Sequence, residues 1–378
     1  MSKICIVSHF AYSAFTNSAS GHIGGVEIQT SRMAKWLAKQ GHEVKLIIWG
    51  IEGESGQHKK IDGVDIIQMC HADDGLPVLR FFYPRWTSLV HALREANADI
   101  YYHNCAEYVT GQIAHWCKRN YKKFIYSVAS DLDCVMGLPQ FNTLSEKYLY
   151  IYGLKSSDLV IAQTDKQKIM LMNNYGLDAK IIPMPCPGPD DLQYSKIQAA
   201  NRKTILWVGR ISEEKRLEWF LDIAEALPDF DFVVLGKPND MDSVYYLDLC
   251  DNASRLSNVN MVGAVKYTEM SEYYASSSLL CCTSVFEGFP NTFLEAWSYG
   301  VPVLSTVDPD NVITQNGLGY EASTKEEFVE YINLLMKDES LWEKCSEQSR
   351  QYYLEHHQVD GVMSLFEKTF VDIENEKN

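Results

Sequence analysis

The feature that most limits what this chain can become is a recurrence. Short apolar runs rich in Ile and Val alternate with longer amphipathic segments. "ICIVS", "EVKLIIWG", "VDIIQM", "DIYYHN", "KFIYSVAS" and "LVIAQT" each read as one buried strand. Between the first two lies "VEIQTSRMAKWLAKQGH", in which Val26, Met33, Trp36 and Leu37 share a helical face and Gly41 is a C-terminal stop. Strand, helix, strand in repetition predicts a parallel sheet with helices on both faces.

The recurrence is broken once. In "PMPCPGPDDLQYSKIQAANRK", Pro183, Pro185, Pro187 and Pro189 fit neither a central strand nor a helix interior. A domain link is expected there. The alternation then restarts with "TILWVGR", "DFVVLGK", "VNMVGAV", "LLCCTSV" and "VPVLST", and from Thr324 the pattern is helical to a charged tail. At 378 residues the chain is too long for one ordinary core. The reading is therefore α/β, with two doubly wound, Rossmann-like domains: residues 1–190, then 191–360. Two such domains leave a cleft, and ligands in these sheets bind outside the carboxyl ends of the strands.

Bulk properties narrow the function. The net charge of -16 argues against a nucleic-acid partner, which would need a basic face. Lys118, Arg119, Lys122 and Lys123 form one local basic patch, equally explained by a solvated helix end. No apolar run reaches the length of a membrane span, and "MSKICIVSHF" lacks the long apolar core of a signal peptide. A cytoplasmic protein is expected. The ten cysteines show no C-x-x-C, and adjacent Cys281 and Cys282 lie in a strand run, where they read as small core residues. Neither zinc nor a disulfide framework is expected.

Three strand-end segments carry chemistry. In "VGRISEEKR", Arg210 directly follows a strand and Lys215 lies five positions on. A planar guanidinium and a compact ammonium suit a diphosphate, although Glu213 and Glu214 equally allow a solvated ion-paired loop. In "GHIGGVEIQ", Gly24 and Gly25 precede the first long helix, where backbone N–H groups and the helix field favour phosphate. The stretch before it, "AYSAFTNSASGHI", is long and rich in small residues and suits a mobile substrate loop. In "SVFEGFPNTFLEAWSYGVPVLST", Glu287 stands on a strand-end loop and Glu295 early in the next helix, with Asn291 as the N-cap candidate. Carboxylates accept paired hydrogen bonds from vicinal hydroxyls, as on a sugar or ribose; the plainer alternative is a solvated Glu287 and a Glu295 favoured by the helix dipole.

"VGR…EEK" followed by "VFEGFPNTFLEAWSYGVPVLST" resembles the donor half of the retaining GT-B glycosyltransferases of family four, and "GGVE" is similar to that family's glycine pair. The ordered set runs from Gly24 to Thr306. The resemblance implies that Arg210 and Lys215 neutralise a diphosphate, that Glu287 faces the donor sugar, and that Glu295 holds the ribose. It implies that Gly24 and Gly25 contact the phosphates, and that the backbone of Gly288, Phe289, Pro290, Asn291 and Thr292 lines the sugar and phosphate site. Catalysis would rest on Glu287, Arg210 and Lys215, with domain closure excluding water. The last helix and tail, residues 361–378, would cross back to the first domain.

One departure and one distraction stand out. Many family members carry a histidine after a strand of the first domain. Here "FIYSVASDLDC" puts Ala129, Ser130 and Asp131 in that place. Ser130 or Asp131 then contacts the donor sugar or the acceptor, or the segment is a structural strand end. His103, which ends the previous strand, is read as structural, with entry into the cleft the alternative. Asp131-Leu132-Asp133 looks like a metal-binding D-x-D, but Arg210 and Lys215 already bring the positive charge, so no metal is expected.

The function expected is transfer of a sugar from a nucleoside diphosphate sugar, with uridine favoured, to a hydroxyl of a glycan or lipid-linked acceptor. No further cofactor is expected. "LPVLRFFYPRW", residues 76–86, is aromatic and basic, suiting a buried anchor or contact with a lipid-linked acceptor or the inner membrane surface. A nucleotide-sugar epimerase and a non-catalytic sugar-nucleotide binder share the architecture. Base contacts through backbone are placed near Val262 to Lys266.

Overall fold

The computed structural model describes residues 1–16, 24–51, 59–77, 79–191, 194, 204–266 and 269–376. Most of the expected substrate loop (17–23), Val78 of the aromatic stretch, and 192–193 and 195–203 of the proline-rich connection lie outside the described residues. The chain divides into two units, Met1–Pro185 with Asp360–Asn378, and Cys186–Val359.

The first unit is built on an eight-stranded sheet, in the order β3-β4-β2-β1-β5-β6-β7-β8. The strands are β1 (Lys3–Val7), β2 (Glu43–Ile48), β3 (Lys59–Ile61), β4 (Val64–Gln68), β5 (Ile100–Asn104), β6 (Lys123–Ser127), β7 (Leu159–Ala162) and β8 (Lys180–Ile181). All pair in parallel except β3, which runs antiparallel on the edge. The apolar runs have the reason expected for them: Ile4, Cys5, Ile6 and Val7 are all fully buried because helices cover both faces. Each of the Ile and Val side chains contributes roughly 1.5–3 kcal/mol. The edge strand "KKI" was not anticipated, since its two lysines give no apolar signal.

Helix α2 (Gly25–Lys39) follows β1 after the short helix α1 (Tyr12–Thr16), and ends before Gly41, which adopts φ +91°. Its buried side includes Gln29, Thr30, Met33, Ala34 and Leu37. Val26 and Trp36, expected on that face, are half-exposed; the Trp36 indole N–H instead donates to Asp360 Oδ1 at 2.7 Å. Further on come α3 (Thr87–Ala96), α4 (Val109–Arg119), α5 (Leu144–Ser156) and α6 (Asp165–Tyr175). Helices α4 and α5 touch backbone to backbone at Gly111 and Gly153. A Cβ on Gly111 would meet the Leu149 carbonyl oxygen at 2.2 Å.

The terminal helix Val359–Asn375 contributes Phe366 and Phe370 to this unit, both against Tyr102. Glu367 accepts from His42 at 2.8 Å, and Thr369 from Lys180 at 2.7 Å.

The second unit has a six-stranded, all-parallel sheet, in the order β11-β10-β9-β12-β13-β14. Its strands are β9 (Thr204–Val208), β10 (Asp231–Leu235), β11 (Val259–Gly263), β12 (Ser277–Cys282), β13 (Val303–Ser305) and β14 (Gly319–Glu321). Cys281 and Cys282 are buried, and burial raises both thiol pKa values. Among the described residues, no helix is long and apolar enough to cross a membrane.

Candidate functional site

Each sheet has one place where the strand order reverses. In the second unit it lies between β9 and β12: the chain leaves β9 toward β10 and leaves β12 toward β13, on opposite sides. The two loops therefore part at their strand ends and leave a crevice, the usual ligand position in such sheets. The sequence-predicted residues Arg210, Lys215 and Glu287 all stand on these two loops.

The loop after β9 begins at Gly209 and passes through a 3-10 turn, Glu213–Lys215. Its course is set by a close approach: a Cβ on Gly236, where φ is +146°, would sit 1.8 Å from the Gly209 carbonyl oxygen. Arg210 is exposed and donates to Glu214 Oε1 at 3.1 Å. Burial tends to raise the Glu214 carboxyl, but its own backbone N–H, Ser212 and Arg210 together bring its pKa below the usual value. Lys215 donates to Glu287 Oε1, which also accepts the Ser284 hydroxyl at 2.7 Å. Cation and carboxylate are both mostly buried, so their attraction is less screened than on an open surface.

Two residues missed in the sequence hold these loops together. Arg216, at φ +48°, donates to the Thr283 carbonyl at 2.6 Å and the Ser284 carbonyl at 3.3 Å. The Thr283 hydroxyl donates to the carbonyls of Lys215, at 2.7 Å, and Arg216, at 3.0 Å, and accepts from the Trp207 indole at 3.2 Å. The backbone N–H of Val285 donates to the Glu214 carbonyl at 2.8 Å. Their signal was adjacency alone: Arg216 follows Lys215, and Thr283 follows β12.

Helix Asn291–Ser298 follows the second loop, and here one expectation is corrected. The N-cap is Pro290, extended at φ -66° and ψ 127°, and Asn291 is already the first helical residue. Proline fits because its fixed φ leads into the turn without an N–H to satisfy. Gly288 and Phe289 lie in the bend before it, and Thr292 is the second helical residue. The Phe289 ring packs against Trp297 and His357. Glu295 accepts the Tyr274 hydroxyl at 2.6 Å. The backbone at Val262 to Lys266 leaves β11 through Gly263, at φ +87°.

In the first unit, Gly24 is the N-cap of α2 and its N–H donates to Glu27 Oε2 at 3.0 Å, while Gly25 opens the helix. The glutamate of "GGVE" is thus a capping residue. Asp131 and Asp133 do not converge. Asp131 pairs with Lys166 at 2.7 Å and accepts from Gln167 at 3.2 Å. Asp133 turns inward and accepts from the backbone of Ala129, at 2.8 Å, and from the Ser130 hydroxyl, at 3.2 Å. Ser130 and Asp131 therefore both have protein partners. Burial raises the Asp133 pKa to about 6 against these hydrogen bonds.

The first unit's reversal lies between β1 and β5. His9 follows β1; His103, Cys105 and Glu107 lie at and beyond the end of β5. His103 is buried and bonds through Nδ1 to the Val7 carbonyl at 2.8 Å. Burial lowers its pKa, in opposition to Glu107 and the Val7 bond. Burial also acts to raise the Glu107 carboxyl, but the neighbouring His9 and His103 imidazoles outweigh it and bring its pKa below the ordinary value. His9 stacks on Trp49, with ring centroids 4.3 Å apart. Of the aromatic stretch, Phe81 packs against Tyr108 and Arg85 donates to the Ala72 carbonyl at 3.0 Å, whereas Leu76, Leu79, Phe82 and Tyr83 are exposed. The stretch is anchored at one side and open at the other.

Residues 191–352 match the family Glycosyl transferases group 1, and residues 23–187 match Glycosyltransferase Family 4. An uncharacterized glycosyltransferase of Haemophilus influenzae is 24% identical over 353 residues, spanning 87% of this chain and 92% of that one. The amylovoran biosynthesis glycosyltransferase AmsD of Erwinia amylovora is 24% identical over 226 residues, 57% of this chain and 64% of its own length. The fold is also that of HepE from Anabaena, in complex with UDP and glucose: TM-score 0.75 at 16% identity, covering 98% of this chain and 100% of HepE.

Proposed function

Because the chain belongs to the family-four GT-B glycosyltransferases, we propose that the β9–β12 crevice binds a nucleoside diphosphate sugar, with a uridine base, for retaining transfer to an acceptor hydroxyl. The observation that carries this reading is the convergence of Arg210, Lys215 and Glu287 on two loops at one strand reversal. The two cations neutralise the charge that develops on the leaving diphosphate. Glu287 accepts hydroxyls of the donor sugar, and Glu295 those of the ribose. The backbone of residues 288–292 lines the sugar and phosphates, and that of 262–266 faces the base. The Gly24–Gly25 turn, at a helix N-terminus, supplies amide donors to phosphate.

In the reaction the bond between the anomeric carbon and the diphosphate oxygen breaks. The acceptor oxygen bonds to the anomeric carbon on the same face, and its proton passes to the departing diphosphate. This front-face displacement needs no protein nucleophile, and the positive charge that neutralises the diphosphate comes from the protein's own cations. The uridine choice draws support from the UDP complexes of structural neighbours. A glycan or lipid-linked acceptor is proposed from the AmsD likeness and from the exposed side chains of Leu76, Leu79, Phe82 and Tyr83, which also suit contact with a membrane surface.

The test is a thermal-shift screen of nucleoside diphosphates and their sugars, followed by product analysis with and without acceptors. Binding to the native state raises the melting temperature, so base and sugar are read directly. UDP and one UDP-sugar should stabilise most, and glycoside should form only with acceptor. An epimerised sugar from donor alone would replace this reading with an epimerase. Binding without turnover on any acceptor would replace it with a carrier.

A further inference from the structure

We propose that His103, Cys105 and Glu107 form a site for a zinc-class divalent ion at the β1–β5 reversal of the first unit. The proposal goes beyond sugar transfer and does not depend on it.

One ligand atom from each of the three residues lies within 4.8 Å of the other two. His103 is the most informative. Its Nδ1 bonds to the Val7 carbonyl, which can only accept, so Nδ1 carries a proton. In the neutral ring Nε2 is then a bare lone pair. That atom is buried and has no hydrogen-bond partner. The Glu107 Oε2 stands 4.0 Å away, too far for a hydrogen bond. A buried imidazole acceptor thus faces a half-buried carboxylate across a gap, and a cation between them satisfies both.

The Val7 bond is also the outer contact that fixes a ligating imidazole's tautomer, and His9 Nδ1, 3.6 Å from the same Glu107 oxygen, is placed to steady the carboxylate. Cys105 supplies the third ligand type from backbone at φ +80°, a region that favours glycine. A nitrogen, sulfur and oxygen set suits zinc better than magnesium or calcium. Tetrahedral bond lengths put such ligand atoms roughly 3.3–3.8 Å apart, so the three must draw in by about 1 Å. Three protein ligands leave a fourth position open.

The spacing His-x-Cys-x-Glu runs past the end of a strand, so it lacks the pairing by which zinc sites are usually read from sequence, and none was expected. The structure brings the three side chains together through the turn after β5.

The experiment uses the full chain, stripped with chelator and titrated with Zn²⁺ calorimetrically and with Co²⁺ spectroscopically. One equivalent should bind, and Co²⁺ should give a thiolate-to-metal charge-transfer band in the near ultraviolet. Cys105→Ser should remove the band and weaken Zn²⁺ binding by roughly tenfold or more, while Cys70→Ser should leave both unchanged. If Cys105→Ser does not fold, His103→Gln and Glu107→Gln carry the same test on affinity. Absence of stoichiometric binding, or a band that survives Cys105→Ser, would overturn the proposal.

Discussion

Lys215 and Ser284 donate to the same oxygen of Glu287. The lysine that would meet a diphosphate is therefore held by the carboxylate that would meet the sugar. Replacing either partner changes both charge and position. Lys215→Met and Glu287→Ala should each reduce kcat by roughly 10²–10³, the range for losing one preorganised electrostatic contact. Arg210→Ala should act in the same direction. Initial rates of nucleotide release with acceptor present measure this. Parent-like rates in both Lys215→Met and Glu287→Ala would remove the pair from the site.

Arg216 should matter without touching substrate. Its guanidinium bonds the carbonyls of Thr283 and Ser284, across from the loop it belongs to, and covers the Trp219 ring at 4.0 Å. Lysine cannot span both carbonyls from one rigid fork. Arg216→Lys should therefore lower kcat several-fold while changing the donor KM little. It should also cost about 1–3 kcal/mol in urea unfolding, as expected when buried acceptors lose their donor. A change confined to stability, with kcat intact, would make the clamp purely structural.

Glu295 and Tyr274 provide a contrasting case. The tyrosine hydroxyl orients the carboxylate at 2.6 Å, away from the reacting bond in the proposed assignment. Loss of a contact made equally in ground and transition states raises KM and spares kcat. Glu295→Gln should raise the donor KM by roughly tenfold or more, and Tyr274→Phe by less. A fall in kcat with KM unchanged would contradict the ribose role.

The sheets were legible because buried parallel strands leave an unmistakable apolar pattern, and even the strand-end residues Arg210, Lys215 and Glu287 stood out by position. What the pattern could not show was partnership. Nothing in the spacing pairs Lys215 with Glu287 across 72 positions, or sends the Asp133 carboxyl inward while Asp131 turns to Lys166. Strand β3, short and lysine-bearing, gave no signal for the same reason that Asn291 gave a false one. Local preference was weighed there without the tertiary setting that decided the outcome.

Asp133 offers the sharpest test of the first unit. Its carboxyl accepts from Ala129 and Ser130 and lies near the Tyr126 hydroxyl, yet burial outweighs these contacts and raises its pKa from 3.8 to about 6. A raised value means that between pH 4 and about 6 the folded protein keeps a proton that the unfolded chain releases. Stability from this group is therefore fully present below pH 4 and is lost as the pH rises through about 6. At 1.36 kcal/mol per pKa unit the loss is on the order of 3 kcal/mol. Asp133→Asn cannot titrate. Measured by urea unfolding at a series of pH values from 4 to 7, the variant should gain on the parent by up to that amount, with the other carboxylates cancelling in the difference. A gap between the two that stays constant over this range would show that the Asp133 pKa is not raised.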